Sequence, residues 1–208
     1  MKKHFVFDLD DTLTNSYEFN QQMFVDTFLP YLPKITQKQE TLLRDLHFKS
    51  RGKAMILQFE EAVKALQLST PPHNLLKANE KLHIDNVHKI STFDDVKDLF
   101  DLLKSKNKKI HICTNRQYGS LTKILKNNGV ENYIENIISC ADEGHEKPDP
   151  YCLLELVKNH GGNKNEFLYF GDSKTDHDFA HNADMEAIII DQYLNKKKFF
   201  KVILEAFF

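Results

Sequence analysis

At 208 residues, 41% of them hydrophobic and 28% charged, the chain has the make-up of a soluble globular protein with one core, or one core and a modest insertion. A net charge of -2 leaves no electrostatic footprint for nucleic acid or an anionic membrane, so neither is expected as a partner. Cys113, Cys140 and Cys152 form no CxxC pair and are odd in number, which fits reduced cytoplasmic thiols better than a disulfide framework or a zinc site.

Only three apolar residues, Phe5-Val6-Phe7, precede Asp8, and runs such as 187–190 are far short of a membrane span. The expectation is a cytoplasmic protein without a signal peptide. The apolar triplet predicts a short first strand that ends in Asp8-Leu9-Asp10-Asp11-Thr12. Three acids within four positions repel one another, and a half-buried strand end is a costly place for them unless something neutralises the charge. A metal ion is the obvious candidate.

From about residue 16 the period changes to helical. Phe19, Met23, Phe24 and Phe28 share a face that ends at Pro30 and Pro33. Thr36-x-x-Gln39 reads as a capping box opening a second helix with Leu42, Leu43 and Leu46, broken at Gly52. Ile56, Phe59, Val63 and Leu66 make a third, closed by Ser69-Thr70-Pro71-Pro72. No convincing strand interrupts this stretch, so residues 16–85 are expected to form an all-helical insertion, with 1–15 and 86–208 making the main domain.

Beyond it, short and nearly continuous apolar runs at 110–113, 137–140, 167–170 and 187–190 predict strands buried on both faces. Helical patterns separate them. Phe93, Val96, Leu99, Phe100 and Leu103 follow a capping box at Thr92 and Asp95. Leu121, Ile124 and Leu125 run to a stop at Asn127-Asn128-Gly129, and Pro150 opens a helix ending near Gly161-Gly162. This alternation predicts an α/β fold with a doubly wound parallel sheet. The aromatic tail, Phe199-Phe200 to Phe207-Phe208 after three lysines, is expected to pack as a terminal helix.

Ligands of open α/β sheets bind outside the carboxyl ends of the strands. Those ends read Asp8 to Thr12, Thr114-Asn115-Arg116, Glu146-Lys147-Pro148-Asp149-Pro150 and Gly171-Asp172-Ser173-Lys174-Thr175-Asp176. They deliver carboxylates, a hydroxyl, an amide and an ammonium to one crevice. The set resembles, in order, the four motifs of the haloacid dehalogenase superfamily: DxDxT, a Thr or Ser closing the second strand, a Lys, and GDxxxD.

The resemblance implies phosphoryl transfer. Asp8 would be the nucleophile that becomes an aspartyl-phosphate, and Asp10 the acid and then the base. Mg2+ would lie between Asp8, the backbone carbonyl of Asp10 and Asp172. Lys147, Thr114 and the Asn115 backbone would hold phosphate oxygens, and Asp176 would orient the metal's waters or Lys147. Asp11 reads as a turn residue, and His177 and His181 as an exposed or packed pair rather than a zinc site. The insertion's position resembles the helical cap of phosphoglycolate phosphatase-like and β-phosphoglucomutase-like members. In it, Lys49-Ser50-Arg51-Gly52-Lys53 is either a solvated turn or a specificity loop carrying Arg51 and Lys53. Lys89-Ile90-Ser91-Thr92-Phe93 departs from the family, which usually has Pro and Gly there.

The expected activity is therefore Mg2+-dependent hydrolysis of a small phosphorylated metabolite by a monomer or homodimer. A phosphomutase uses the same motifs and is the alternative. A dehalogenase would need no acid such as Asp10. A non-enzymatic phospho-receiver or binding protein is less favoured, because receivers end with their Lys and here Asp172 follows Lys147.

Overall fold

The computed structural model describes residues 1–32, 34–50 and 53–190. In chain order the strands are β1 (His4–Phe7), β2 (Lys109–Thr114), β3 (Ile134–Ser139), β4 (Phe167–Gly171) and β5 (Ala187–Ile189). The first helices after β1 are α1 (Tyr17–Asp26), α2 (Gln37–Lys49), α3 (Met55–Leu66) and α4 (Pro72–Asn86). They are followed by α5 (Val96–Ser105), α6 (Tyr118–Asn127), α7 (Tyr151–Asn159) and α8 (Lys174–Asn182).

The five strands form one parallel sheet in the order β3-β2-β1-β4-β5. β1 is central and hydrogen-bonded to both β2 and β4. The chain builds outward on one side of it and then crosses to the other, which makes the carboxyl end of β1 the switch point where such sheets open a crevice. Strand alternation sends Phe5 and Phe7 to one face, against Phe100, Ile124 and Phe170, and Val6 to the other, against Leu153, Tyr169 and Phe179. Both faces are covered, so the doubly wound α/β sheet expected from the near-continuous apolar strands is present.

α1 to α4 build a separate apolar core from Phe24, Phe28, Leu43, Phe59 and Leu75. Phe24 and Phe59 stack with ring centroids 5.2 Å apart. Thr36 and Gln39 form the full capping box at the start of α2. The prolines read as a stop at 71–72 instead open α4: Pro72 takes the first helical position, where its missing N–H costs nothing. The capping box expected at Thr92 and Asp95 does not form. Thr92 is drawn into a bridge with Thr14, and its N–H donates to Asn128 Oδ1 at 2.9 Å. α5 then begins at Val96 with no side-chain bond from Asp95. The aromatic tail lies outside the described residues. Among the described residues no helix is long and apolar enough to cross a membrane.

At the end of the sheet opposite the crevice, His4 and His111 are buried with their rings linked Nδ1 to Nε2 at 3.0 Å. Asn136 Oδ1 accepts from His111 Nδ1 at 3.0 Å and from His160 Nε2 at 2.8 Å. Burial, with His160 and Lys109 nearby, lowers the His4 pKa to about 4, against the smaller pull of Glu135 and Glu166. Burial, then His4 and His160, lowers that of His111 to about 3. The unfolded rings take up protons near pH 6.5 and the folded ones only well below it, so the unfolded state binds more protons in that window. The stability that these two rings contribute is therefore expected to be whole above about pH 6.5 and to fall as the pH drops toward 5, by up to about 1.4 kcal/mol per pH unit for each ring. Urea unfolding at pH 7.5, 6 and 5 measures the slope. The double variant His4→Leu, His111→Gln should differ from the wild type by the slope of these two rings, since the buried His83 and the raised Asp8 and Asp11 titrate in both proteins, and an unchanged slope in that variant would assign the acid sensitivity elsewhere.

Candidate active site

The ladder of β1 runs one residue past the strand, where Asp8 N–H donates to Phe170 O at 2.8 Å. This pins the Asp8 backbone at the switch point and leaves its side chain, only 6% exposed with its residue, at the floor of the crevice. The loop then turns back through Asp11, at φ 59°, a left-handed conformation that a short polar side chain tolerates. Asp11 Oδ1 accepts from Ser16 N at 3.2 Å, which ties the turn to the start of α1. Asp11 thus does the work of a turn residue. Burial and the neighbouring Asp10 push its carboxyl up to about 7.

Lys147 is 4% exposed and arrives from the loop after β3. Asn115 Oδ1 accepts its backbone N–H at 2.8 Å, so the end of β2 fixes where the lysine begins. Its three ammonium protons are all used: Asp8 Oδ1 at 2.6 Å, Asp176 Oδ1 at 2.8 Å and the Tyr169 hydroxyl at 2.6 Å. Tyr169 donates in turn to Asp176 Oδ1 at 2.7 Å. Asp176 Oδ2 accepts from Ser173 N at 3.1 Å and Ser173 Oγ at 2.5 Å, as part of the capping box of α8. Gly171 makes the approach possible, because a Cβ there would lie 2.3 Å from Asp176 Cβ.

Burial opposes every charge in this group, and the partners decide which charges survive. For Lys147 the desolvation cost is outweighed by Asp176 and Asp8, so its pKa is raised and it stays an ammonium. Burial pushes Asp8 up to about 7 against the pull of Lys147, with Asp176 and Asp10 adding repulsion. Asp176 is buried too, but Lys147, Ser173 and Tyr169 hold it below the usual carboxylate range.

Carboxylate oxygens of Asp8, Asp172 and Asp176 lie within 4.8 Å of one another, an all-oxygen set that suits a hard divalent cation. Asp176 already serves Lys147, Tyr169 and Ser173 with both oxygens, so Asp8 and Asp172 are the better direct ligands. Thr114 sits buried at the end of β2, its Oγ1 accepting from Arg116 N–H at 3.3 Å.

Asp10 pairs with a different cation. Arg116 grips it with Nε on Oδ2 and Nη2 on Oδ1, both at 2.7 Å. Ser16 Oγ and Asn20 Nδ2 also donate to Oδ1, at 2.8 and 3.0 Å. Burial would favour the neutral acid, but the guanidinium prevails and holds Asp10 well below the usual carboxylate range.

Over these groups lies a cleft, open to solvent, whose upper wall includes Asn20, His47, Gln58 and His83 from the helical block. Lys53 stands at its rim, half exposed, with Nζ 3.5 Å from Glu61. Arg51 lies outside the described residues. His177 and His181 are an exposed stacked pair on α8.

Asp8, Thr114, Asn115, Lys147, Asp172 and Asp176 are thus brought to one place, and Asp10 to the wall beside it. Arg116, Asn20 and Tyr169 are the participants that sequence reasoning passed over. A cation two residues after Thr114 at a strand end was a usable signal for Arg116. Tyr169 gave none, because an aromatic inside a buried strand reads as core.

A model of the haloacid dehalogenase-like hydrolase family matches residues 5–190. The chain is 24% identical over 179 residues to a pyrophosphatase, PpaX, of Listeria monocytogenes, covering 86% of this chain and 78% of that protein. It is 25% identical over 190 residues to a phosphoglycolate phosphatase of Mesorhizobium japonicum, covering 89% and 81%. The crystal structure of a hydrolase from Pseudomonas syringae shares the fold with a TM-score of 0.73 at 22% identity, over 90% of this chain and 84% of that one.

Replacing Lys147 by Met leaves Asp8 and Asp176 facing each other without their buried cation. The expected cost, measured by urea unfolding in the absence of divalent metal, is about 3–5 kcal/mol. A loss below about 1 kcal/mol would mean that the two carboxyls accommodate each other by taking up a proton.

Proposed function

The chain belongs to the haloacid dehalogenase-like hydrolase family, and on that footing we propose that it is a Mg2+-dependent phosphatase that works through an aspartyl-phosphate on Asp8. The observation that carries the proposal is the Lys147 ammonium bridging Asp8 and Asp176 at the floor of the cleft, with Asp172 beside them. That is a buried nucleophile next to a fixed cation and an oxygen-ligand set. The PpaX and phosphoglycolate phosphatase relatives support a small phosphorylated substrate.

In this reading Asp8 Oδ attacks phosphorus, forming the Asp8–phosphoryl bond as the bond to the leaving oxygen breaks. Asp10, once it leaves the Arg116 fork and takes up a proton from solvent, gives that proton to the leaving oxygen. It then takes one from the water that attacks phosphorus, which releases inorganic phosphate and restores Asp8. Lys147 neutralises the phosphoryl oxygens, and Thr114 Oγ1 and the Asn115 backbone position them. Mg2+ held by Asp8, Asp172 and the Asp10 carbonyl would keep Asp8 ionised and lessen its repulsion toward a dianionic phosphate. Asp176 and Tyr169 keep Lys147 aimed. The helical block acts as a cap that lowers over the cleft and excludes water, with Lys53, and Arg51 beside it in sequence, as candidates for contact with the rest of the substrate.

Purified protein should release phosphate from an aryl phosphate with Mg2+ and stop on chelation, whereas a folded protein inactive in both conditions would refute the enzyme reading. Release of free phosphate, rather than its transfer to a second hydroxyl of a sugar phosphate, separates the phosphatase from a phosphomutase.

Asp8→Asn should abolish both turnover and the covalent phosphoenzyme. Asp10→Asn should lose about 100-fold or more in turnover, yet still be phosphorylated by a substrate with a good leaving group, which needs little protonation. Equal loss of phosphoenzyme in both variants would reverse these assignments.

A further inference from the structure

Three elements of the core aim a thiol at one point. Cys113 comes from β2, Cys140 directly follows β3, and Cys152 is the second residue of α7. The Cys140 N–H donates to Thr114 O at 2.8 Å, which continues the pairing of β2 with β3 and fixes the backbone beside Cys113. The sulfurs of Cys113 and Cys140 touch at 3.4 Å, Cys152 Sγ lies 3.8 Å from His145 O, and all three sulfurs are within 4.8 Å of one another. The thiols are free and buried. Their surroundings are apolar, with Val6, Leu153, Leu156 and Phe179 packed around them. The phosphatase reading uses none of the three.

Filling an apolar core does not require sulfur to meet sulfur, whereas ligation does. Three sulfurs bonded to one ion at about 2.3 Å stand about 3.8–4.0 Å apart, so no pair here has to move by more than about 1 Å. Sulfur ligands select a soft ion, while the oxygens of Asp8 and Asp172 suit a hard one. Charge then selects the valence. Three thiolates leave one net negative charge around a divalent ion and two around a monovalent ion. Lys147 is near enough for Cys140 and Cys113 to act on its charge. It already faces Asp8 and Asp176, so the smaller excess is the one this dry surrounding can hold. Cys152 supplies the first thiolate. It stands in the first turn of a helix, where an anion is favoured, and donation from the Cys113 and Cys140 thiols lowers its pKa against the cost of burial.

We propose that Cys113, Cys140 and Cys152 form a site for a soft divalent cation of the zinc and cadmium type, separate from the hard-cation position at Asp8 and Asp172. Each thiol passes its proton to solvent as its sulfur–metal bond forms, and a water takes the fourth position. Cys140 and Cys152 bracket the loop that carries Lys147, so the ion fastens both ends of that loop to β2. Spacing along the chain gave no sign of the site, because its ligands come from three separate elements and include no CxxC.

Zinc alone is the probe. Freshly reduced protein is titrated with Zn2+ while Mg2+, in large excess, competes for the carboxylates. One Zn2+ per chain should bind, and X-ray absorption of the loaded protein should find three sulfurs at about 2.3 Å. Cys152→Ser removes one ligand with little change in volume and should weaken binding by about 100-fold or more. If a thermal melt shows that this variant does not fold, Cys140→Ala takes its place, and the sulfur count on the wild-type chain depends on neither. No bound Zn2+, fewer than three sulfurs around it, or undiminished affinity in a folded variant would overturn the site. The last two results would place the ion on carboxylates or on the exposed His177 and His181.

Discussion

One buried ammonium organises the crevice. Lys147 donates to Asp8, Asp176 and Tyr169 at once, so a single charge links the end of β1, the middle of β4 and the first turn of α8. Each partner would be expensive to bury by itself, and together they satisfy every proton on the amine and both oxygens of Asp176. Gly171 and the Asn115 amide serve the same cluster, one by leaving room for Asp176 and the other by holding the lysine's backbone.

A second buried ion pair, Arg116 with Asp10, stands beside the first. The two pairs place neighbouring carboxyls in opposite environments. Asp8 shares one cation with Asp176 and is pushed up by burial, whereas Asp10 has a guanidinium to itself and is held down. Carboxyls two residues apart thus acquire different chemistry from their surroundings alone, the general means by which one site runs acid and base steps. A divalent cation between Asp8 and Asp172 would add charge on the Asp8 side and widen the division of labour.

The fold separates rigidity from adaptability. The sheet is buried on both faces and carries the groups nearest the phosphoryl position, while α1 to α4 have a core of their own and supply the upper wall of the cleft. Polar contacts such as Arg116 to Asn20 and His83 span the two. Such contacts exchange partners readily, whereas an interdigitated apolar interface does not.

Much of this was legible in the sequence because it depends on local rules. Apolar runs of strand length separated by helical periods give a parallel sheet, and the ligands of such a sheet belong at its carboxyl ends, which singles out Asp8, Thr114, Lys147, Asp172 and Asp176. Thr36 and Gln39 gave the start of α2 for the same local reason. At Thr92 the local rule failed, because a bridge to Thr14 and a bond from Thr92 N–H to Asn128 took the residue before the helix could. Tertiary structure alone decided that Arg116 meets Asp10 across 106 positions of chain, that Tyr169 turns a core aromatic into a hydrogen-bond partner of Lys147, and that Asp176 spends its oxygens on Lys147, Tyr169 and Ser173. Periodicity states which face a side chain takes. The partner it finds there is set by the packing of elements far apart in sequence, where desolvation makes every unpaired charge costly and so selects the pairing.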